Sequence, residues 1–500
     1  MSYTNETEPL LTPTRESGSA DDGGQKQGRV KLFLALLGDS VPVILSYTLQ
    51  NSIQTICILI TGRLGPDELS AAAFSSMLAF VTGELSFHSL IVALGGTTAL
   101  DTLGSQAYGS GRHADLSIHF QRCLAHLWAL FIPVAALWFW MEPVLLALGQ
   151  GERLSRDVQG FLRVLVVGAP GYIGFETLKK YLQCQGIMTL STLVLVVVSP
   201  INAALTYILV HRTSLGLTGA PVALSITYWL MFLFLAVATW LSPSHKCNGT
   251  WRGLQLRAVL DRRSSVAFLK LALPGILMVG TEWTAFEIVA LAAGRLGDIP
   301  LAAQSVIMTT DQILNTIPFG IGVAASARVG NFIGARSAAG AKYAGHASAF
   351  LSVIVGLIVM VIMLLCKNVY GYLFTDDVAV VKLVSKVMPL VASFQIADGL
   401  AGSCGGVLRG QGRQHLGALF NIVAYYVLAL PLGITLAFKG GRGLEGLWVG
   451  QVIALFLVGI GEYGVVWLGT DWDREVARGE ERNRMEAKLR DRNRVVEEAD

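Results

Sequence analysis

Charge is scarce in this chain. Of its 500 residues only 15% are Asp, Glu, Lys or Arg, where a soluble domain carries about a quarter, while 53% are hydrophobic. Neither sign dominates: 38 basic and 35 acidic residues leave a net charge of +3, which excludes nucleic acid as the default partner. Cysteine is sparse and scattered. Cys57, Cys123, Cys184, Cys247, Cys366 and Cys404 form no C-x-x-C and no Cys/His cluster, so neither a disulfide scaffold nor a zinc site is indicated, and no cofactor or metal is expected. Hydrolase signatures are missing too. With no H-E-x-x-H, no G-x-S-x-G and no clustered His/Asp set, the chain is not expected to be an enzyme.

What it has in abundance is long apolar runs. Crossing roughly 30 Å of hydrocarbon takes about 20 helical residues. About twelve runs suffice: 38–61, 69–95, 119–141, 158–178, 188–210, 217–242, 266–293, 300–326, 344–366, 382–405, 416–438 and 446–468. They are expected to be helices, because a backbone in lipid must satisfy its own hydrogen bonds and the runs are too long for barrel strands. The fold class is therefore an all-α, multi-pass integral membrane protein, expected as a monomer in the bilayer. Residues 1–37 are polar and are expected as a disordered cytoplasmic tail; 470–500 alternate basic and acidic groups and read as a charged cytoplasmic tail, either a solvated helix or disordered. Lys31, Arg112, Lys179, Lys180, Lys246, Arg252, Arg257, Arg262, Arg263, Arg328, Arg336, Arg409 and Arg413 gather on one side, which the positive-inside rule makes cytoplasmic together with both termini. The sequons at Asn5 and Asn248 fall on that side and are expected to stay unmodified.

The chain repeats itself. Gly62-Arg63-Leu64-Gly65 recurs as Gly294-Arg295-Leu296-Gly297, offset 232; Leu182-Gln183-Cys184-Gln185-Gly186 recurs as Leu408-Arg409-Gly410-Gln411-Gly412, offset 226; Gly216-Leu217-Thr218-Gly219 recurs as Gly443-Leu444-Glu445-Gly446, offset 227. Three matches in one order at nearly constant offset mean duplication. Each half then holds six helices, and an even number makes the halves share one topology. We therefore expect an N-terminal lobe at 38–242, a cytoplasmic linker at 243–265 and a C-terminal lobe at 266–469, related by a pseudo-two-fold along the membrane normal and enclosing a central cavity.

An ionisable group at mid-membrane depth costs at least a few kcal/mol, so each needs a partner, water or a function. The second half holds most of them: Glu282, Glu287, Asp311 and Asp398. No Lys or Arg is expected at matching depth. Such a carboxyl holds a proton or a cationic ligand, not comfortably both, and that competition is what an antiporter needs. Asp311 has a structural alternative, pairing with Asn315 one turn on. Asn421, Tyr425 and Tyr426 either line a cavity with aromatic faces for an organic cation or are ordinary packing. In the first half Glu84 and His88 are expected to pair at i and i+4. Asp39, Glu176 and Glu462 are read as interface or packing residues.

These residues resemble a known family. Ala99-Leu100-Asp101-Thr102-Leu103-Gly104-Ser105-Gln106-Ala107-Tyr108-Gly109, Tyr181 to Gly186, Glu282-Trp283 through Glu287, Arg328-Val329-Gly330-Asn331 with Gly334, and Gly406-Val407-Leu408-Arg409-Gly410 on to Asn421, Tyr425 and Tyr426 are similar to the multidrug and toxic compound extrusion (MATE) transporters of the eukaryotic branch. The resemblance implies efflux of small organic cations or xenobiotics driven by an inward proton gradient; alternatives are sodium coupling, or a flippase for a lipid-linked substrate, which would be expected to show cavity arginines. Glu282, Glu287 and Asp398 look like the family's second-lobe acidic site. Helix one reads Gln54-Thr55-Ile56-Cys57-Ile58, without the aspartate of many prokaryotic relatives, and Asp311 matches no family signature. Glu6-Thr7-Glu8-Pro9-Leu10-Leu11 fits an acidic dileucine pattern, so a vacuolar or plasma membrane is expected.

Overall fold

The computed structural model describes residues 22–81, 89–147 and 149–497. Its elements are α1 (Asp22–Thr61), α2 (Pro66–Val81), α3 (Ser89–Gly96), α4 (Thr98–Gly109), α5 (His113–Phe139), α6 (Met141–Ala147), α7 (Glu152–Cys184), α8 (Thr189–His211), α9 (Gly219–Leu241), α10 (Pro243–Asn248), α11 (Leu256–Val259), α12 (Arg262–Gly294), α13 (Asp298–Leu314), α14 (Thr316–Gly334), α15 (Ala338–Cys366), α16 (Val378–Gln411), α17 (Gln414–Asn421), α18 (Leu430–Ile434), α19 (Gly443–Trp467) and α20 (Trp472–Glu497). Among the described residues there is no strand, and 11 helical segments are long and apolar enough to span a membrane, α13 and α14 together making one of them. The expected run at 69–95 contains 82–88, which lie outside the described residues, as do Glu84, His88, Asn5 and the dileucine pattern.

The sequence repeats are helix-ending turns. Gly186 and Gly412 follow α7 and α16 at φ 76° and 79°, Gly216 lies just before α9 at φ 52°, and Gly443 opens α19 at φ 53°. A side chain disfavours that left-handed backbone, so the glycines mark the same turns in both lobes.

Two cores follow. One gathers Ile53, Leu127, Phe161, Leu195 and Leu235; the other Phe286, Val387, Phe394, Trp448 and Leu455. The first helix of each lobe is shared between them. The early part of α12 (Phe268, Ala272, Ile276) packs in the N-terminal core, and only from Ala285 does the helix join the C-terminal one. Reciprocally, Leu36 in the early part of α1 packs on Ile321, Ala324, Ala347 and Leu351 of the C-terminal lobe. Small residues permit both crossings: a Cβ on Gly95 would lie 2.5 Å from Ile276 Cα, and one on Gly320 would lie 2.5 Å from Ile44 Cγ1. α1 thus extends back to Asp22, into the segment expected as a tail, and Tyr343 Oη donates to the Arg29 carbonyl at 2.9 Å.

The lobes meet again at α4 and α14. Gly109 leaves room for the carbonyl of Asn331, and Gly334 for that of Gln106. The contact is self-complementary, as a two-fold requires. Both helices end at the same face, where α20 receives them: Arg112 donates to the Asn483 carbonyl and Arg336 pairs with Glu480 at 2.7 Å. Equivalent helices therefore run the same way, and the pseudo-axis lies along the membrane normal.

That face is the one whose basic residues predict a cytoplasmic location, and α20 crosses it. Asn483 donates to the Gln106 carbonyl (3.3 Å), Arg482 to the Gln411 carbonyl (2.9 Å), and Arg122 pairs with Glu486 at 3.3 Å. The segment read as a solvated or disordered tail thus bridges both lobes. Its docking uses charge and backbone carbonyls with few apolar anchors such as Trp472, which hydropathy does not register. In the linker, Thr250 is buried and joins Tyr181 Oη (2.5 Å) and Gln185 Oε1 (3.1 Å), so the Asn248 sequon is folded into the protein.

Candidate functional site

Glu282 stands where α12 passes from one core to the other, three residues after Val279 and three before Ala285. Side chains from the next lobe segment hold that turn. Asn421 Nδ2 donates to the Met278 carbonyl at 2.7 Å, and Tyr426 Oη to the Thr281 carbonyl at 3.0 Å. Asn421 ends α17, after which the backbone widens into π-helical turns over Ile422–Ala429. Such widening recurs where a helix is shaped for function.

Beside Glu282 lies a small cavity, partly open to solvent, lined among others by Asn315, Phe319, Asp398, Arg409, Asn421 and Glu462. Asn315 Nδ2 donates to both oxygens of Asp398, at 3.3 and 3.2 Å. Asp311 is buried behind this wall and accepts from Gln395 Nε2 at 3.3 Å; the pairing of Asp311 with the Asn315 side chain considered from sequence is not what the fold makes, because Asn315 turns to α16 instead. Of the seven residues singled out in the sequence, Glu282, Asp398 and Asn421 line the cavity. Half-buried Glu287 lies outside its lining, on the next turn of α12. Tyr425 is buried in an aromatic cluster, its ring 6.2 Å from Phe286, and Tyr426 supports α12 from outside the lining.

Two expectations need correction. Glu462, read as a packing residue, lines the cavity, fully buried and with no hydrogen bond to either carboxyl oxygen. And a cation does reach the acids: Arg409 lines the same cavity. Its Cα sits in the last turn of α16, but a long flexible stem carries the guanidinium inward, where it lies over the Phe319 ring at 5.6 Å. Position along a helix measures depth of the backbone, not of an arginine head.

In the N-terminal lobe the buried acids Glu176 and Asp101 are paired with lysines. Lys179 Nζ meets Glu176 Oε1 (2.7 Å) and Gln50 Oε1 (2.9 Å) and stands 3.8 Å over the Tyr47 ring; Lys180 Nζ lies 3.0 Å from both Asp101 oxygens. Both lysines, counted from sequence on the basic side of the membrane, are buried within α7. Across the seam Arg328 pairs with Asp39 at 2.6 Å, and Arg409 Nε approaches Asp101 Oδ2 at 3.6 Å. The i, i+3 spacing of Glu176 and Lys179 was the available signal for the first of these networks.

A duplicated helical bundle with acids at the junction of its lobes agrees with comparison to known proteins. The MatE family model matches residues 42–208 and again 274–435, two copies whose starts differ by the 232 residues of the sequence repeat. The chain belongs to the MatE family. Membership makes it a transporter, not an enzyme. Among relatives, an uncharacterized transporter of Schizosaccharomyces pombe is 38% identical over 452 residues, covering 89% of this chain and 81% of its own. Multidrug and toxin extrusion protein 1 of Rattus norvegicus is 34% identical, covering 89% and 78%, and Protein DETOXIFICATION 16 of Arabidopsis thaliana is 32% identical, covering 95% and 97%. The crystal structure of the eukaryotic MATE transporter AtDTX14 superposes with TM-score 0.84 at 28% identity, covering 91% of this chain and 100% of that one. The Vibrio cholerae MATE transporter VcmN in the bent form, TM-score 0.76 at 15% identity over 91% and 99%, shares the fold. The MatE architecture accounts for the two cores, and the cavity beside Glu282 is lined by residues of the C-terminal lobe.

Proposed function

We propose that this chain exports small organic cations or xenobiotics in exchange for protons, by alternating access of the cavity beside Glu282. The observation that carries this reading is the cavity's composition: Glu282, Asp398 and Glu462 face one arginine, so the site is net acidic and favours cations. The single arginine, opposed by three acids, argues against a phosphate-bearing lipid-linked substrate. A carboxyl that takes either a proton or the organic cation exchanges one for the other without further machinery. A vacuolar or plasma membrane is the location this reading expects.

Efflux of a labelled organic cation from proteoliposomes, under imposed pH or sodium gradients, tests this. Glu282→Gln keeps volume and hydrogen bonding but removes titration, so gradient-driven efflux falls to background while insertion and folding persist. Efflux that survives collapse of the pH gradient and stops on removal of sodium would refute proton coupling.

A further inference from the structure

The seam between the lobes on the cytoplasmic side carries two ion pairs of the same polarity, acid on the N-terminal lobe and arginine on the C-terminal one: Asp39 with Arg328, and Asp101 with Arg409. They differ in what lies behind them. Arg328 meets Asp39 at 2.6 and 2.7 Å, an ordinary closed pair. Arg409 does not settle. It is 4% exposed, its approach to Asp101 is long at 3.6 Å, and among the described residues its Nε and Nη2 have no hydrogen-bond acceptor. Asp101 has a better partner in Lys180, 3.0 Å from each oxygen. On the other side of the guanidinium, Glu462 is fully buried with neither oxygen hydrogen-bonded. A Cβ built on Gly405 would lie 3.4 Å from Glu462 Oε2 and 4.0 Å from Arg409 Nη1, so the two side chains converge over one glycine. A buried cation and a buried acid, both short of partners in one cavity, are costly unless something else shares the site for part of the time.

We propose that Arg409 is a tethered internal cation that competes with the transported cation and the proton for the cavity acids, and so reports the cavity's occupancy to the Asp101 side of the seam. This rests on the cation-exporter reading above. When the acids are ionised and the cavity is empty, Glu462, with Glu282 and Asp398 behind it, draws the guanidinium inward, and Asp101 remains satisfied by Lys180. When a proton or an organic cation neutralises the acids, the guanidinium is redundant there and returns to Asp101. The groups that set this balance are Asp101 on α4, Lys180 on α7, Glu282 on α12, Asp398 on α16 itself and Glu462 on α19; on α14 Arg409 faces the Phe319 ring. Arg409 is a positioning residue in this scheme: it acts through the acids and needs no contact with substrate.

The sign of the effect tests it. Ethidium binding to the purified full chain in nanodiscs is measured against pH. Removing the internal competitor with Arg409→Gln is expected to tighten ethidium about tenfold or more and to move the pH at which protons displace it upward by about one to three units, the span typical of losing an opposite charge at close range. Asp101→Asn releases the guanidinium toward the cavity, so it should do the reverse, weakening ethidium and lowering that pH; in an Arg409→Gln background it should no longer do so. Arg328→Gln, which loosens the seam without touching the cavity, should leave the displacement pH where it is. Should Arg409→Gln fail to insert, Asp101→Asn decides alone. Unchanged or tighter binding there, or an unmoved displacement pH in Arg409→Gln, makes Arg409 a seam strut and overturns the proposal. Wild-type protein that binds no ethidium at any pH would instead overturn the cation-exporter reading, and this inference with it.

Discussion

The contact of α4 with α14 should control how readily the cytoplasmic side parts. A Cβ on Gly109 would fall on the carbonyl oxygen of Asn331 in the opposite lobe, where the obstacle is backbone rather than the end of a flexible side chain. Gly109→Ala must therefore push α4 away from α14. One methyl group too many in a close contact costs about 1–3 kcal/mol, and at about 1.4 kcal/mol per tenfold the balance between closed and parted seam moves by roughly 5- to 150-fold toward parting. Spin labels on exposed Cys247 and on a cysteine at exposed Ala339 report on the two lobes, with Cys366 replaced. Double electron–electron resonance should then show a longer-distance population that is minor or missing in the parent protein. Gly160→Ala is the control, since nothing lies within 4 Å of the Cβ it would add. An unchanged distance distribution in Gly109→Ala, with transport at parental rates, would refute the reasoning from backbone proximity.

Truncation before Trp472 removes the bridge that α20 makes to Gln106, Arg112, Arg336 and Gln411, and the same spin-label pair should again show a longer population, with the unfolding temperature lowered; no change in either would make α20 a passive appendage. Thr250→Ala removes hydroxyl contacts to Tyr181 and Gln185 and leaves their buried groups short of a partner, costing about 1–3 kcal/mol in a thermal unfolding series. In the same linker, burial lowers the proton affinity of His245 from its ordinary pKa of 6.5, where it joins Tyr181 Oη at 3.0 Å. The unfolded chain then binds the proton more readily than the folded one, so the stabilisation is present above about pH 6.5 and is lost as pH falls below it. His245→Gln should flatten that acid limb of the thermal stability profile.

Reading along the chain reached far into the fold for a physical reason. Lipid as solvent forces long, self-satisfied helices, and those are visible as runs. The duplication was legible because its most persistent residues are glycines at turns such as Gly186 and Gly412, where backbone conformation restricts the choice. The acids at Glu282 and Asp398 stood out because charge in an apolar run is expensive, and both line the cavity. Glu462 escaped because its place near the end of the last apolar run looked like an interface, and Arg409 because its backbone position suggested a loop.

The sequence by itself determined the solvent, the helical class, the two-fold repetition and the short list of costly acids, all of which follow from composition, period and spacing. Which of those acids share a cavity was decided only by tertiary structure. Inside a membrane bundle, apolar residues face lipid and core alike, so hydrophobic periodicity does not say which face of α12 or α16 turns inward. The exchange of the early halves of α1 and α12 between lobes rests on backbone approaches at Gly95 and Gly320, which are contacts between residues more than 180 positions apart. The docking of α20 rests on hydrogen bonds to carbonyl groups, which every residue carries and no sequence pattern marks. And the reach of Arg409 from a helix end into an acidic cavity is a property of its side chain in that particular packing, with Asp101 on one side and Glu462 on the other.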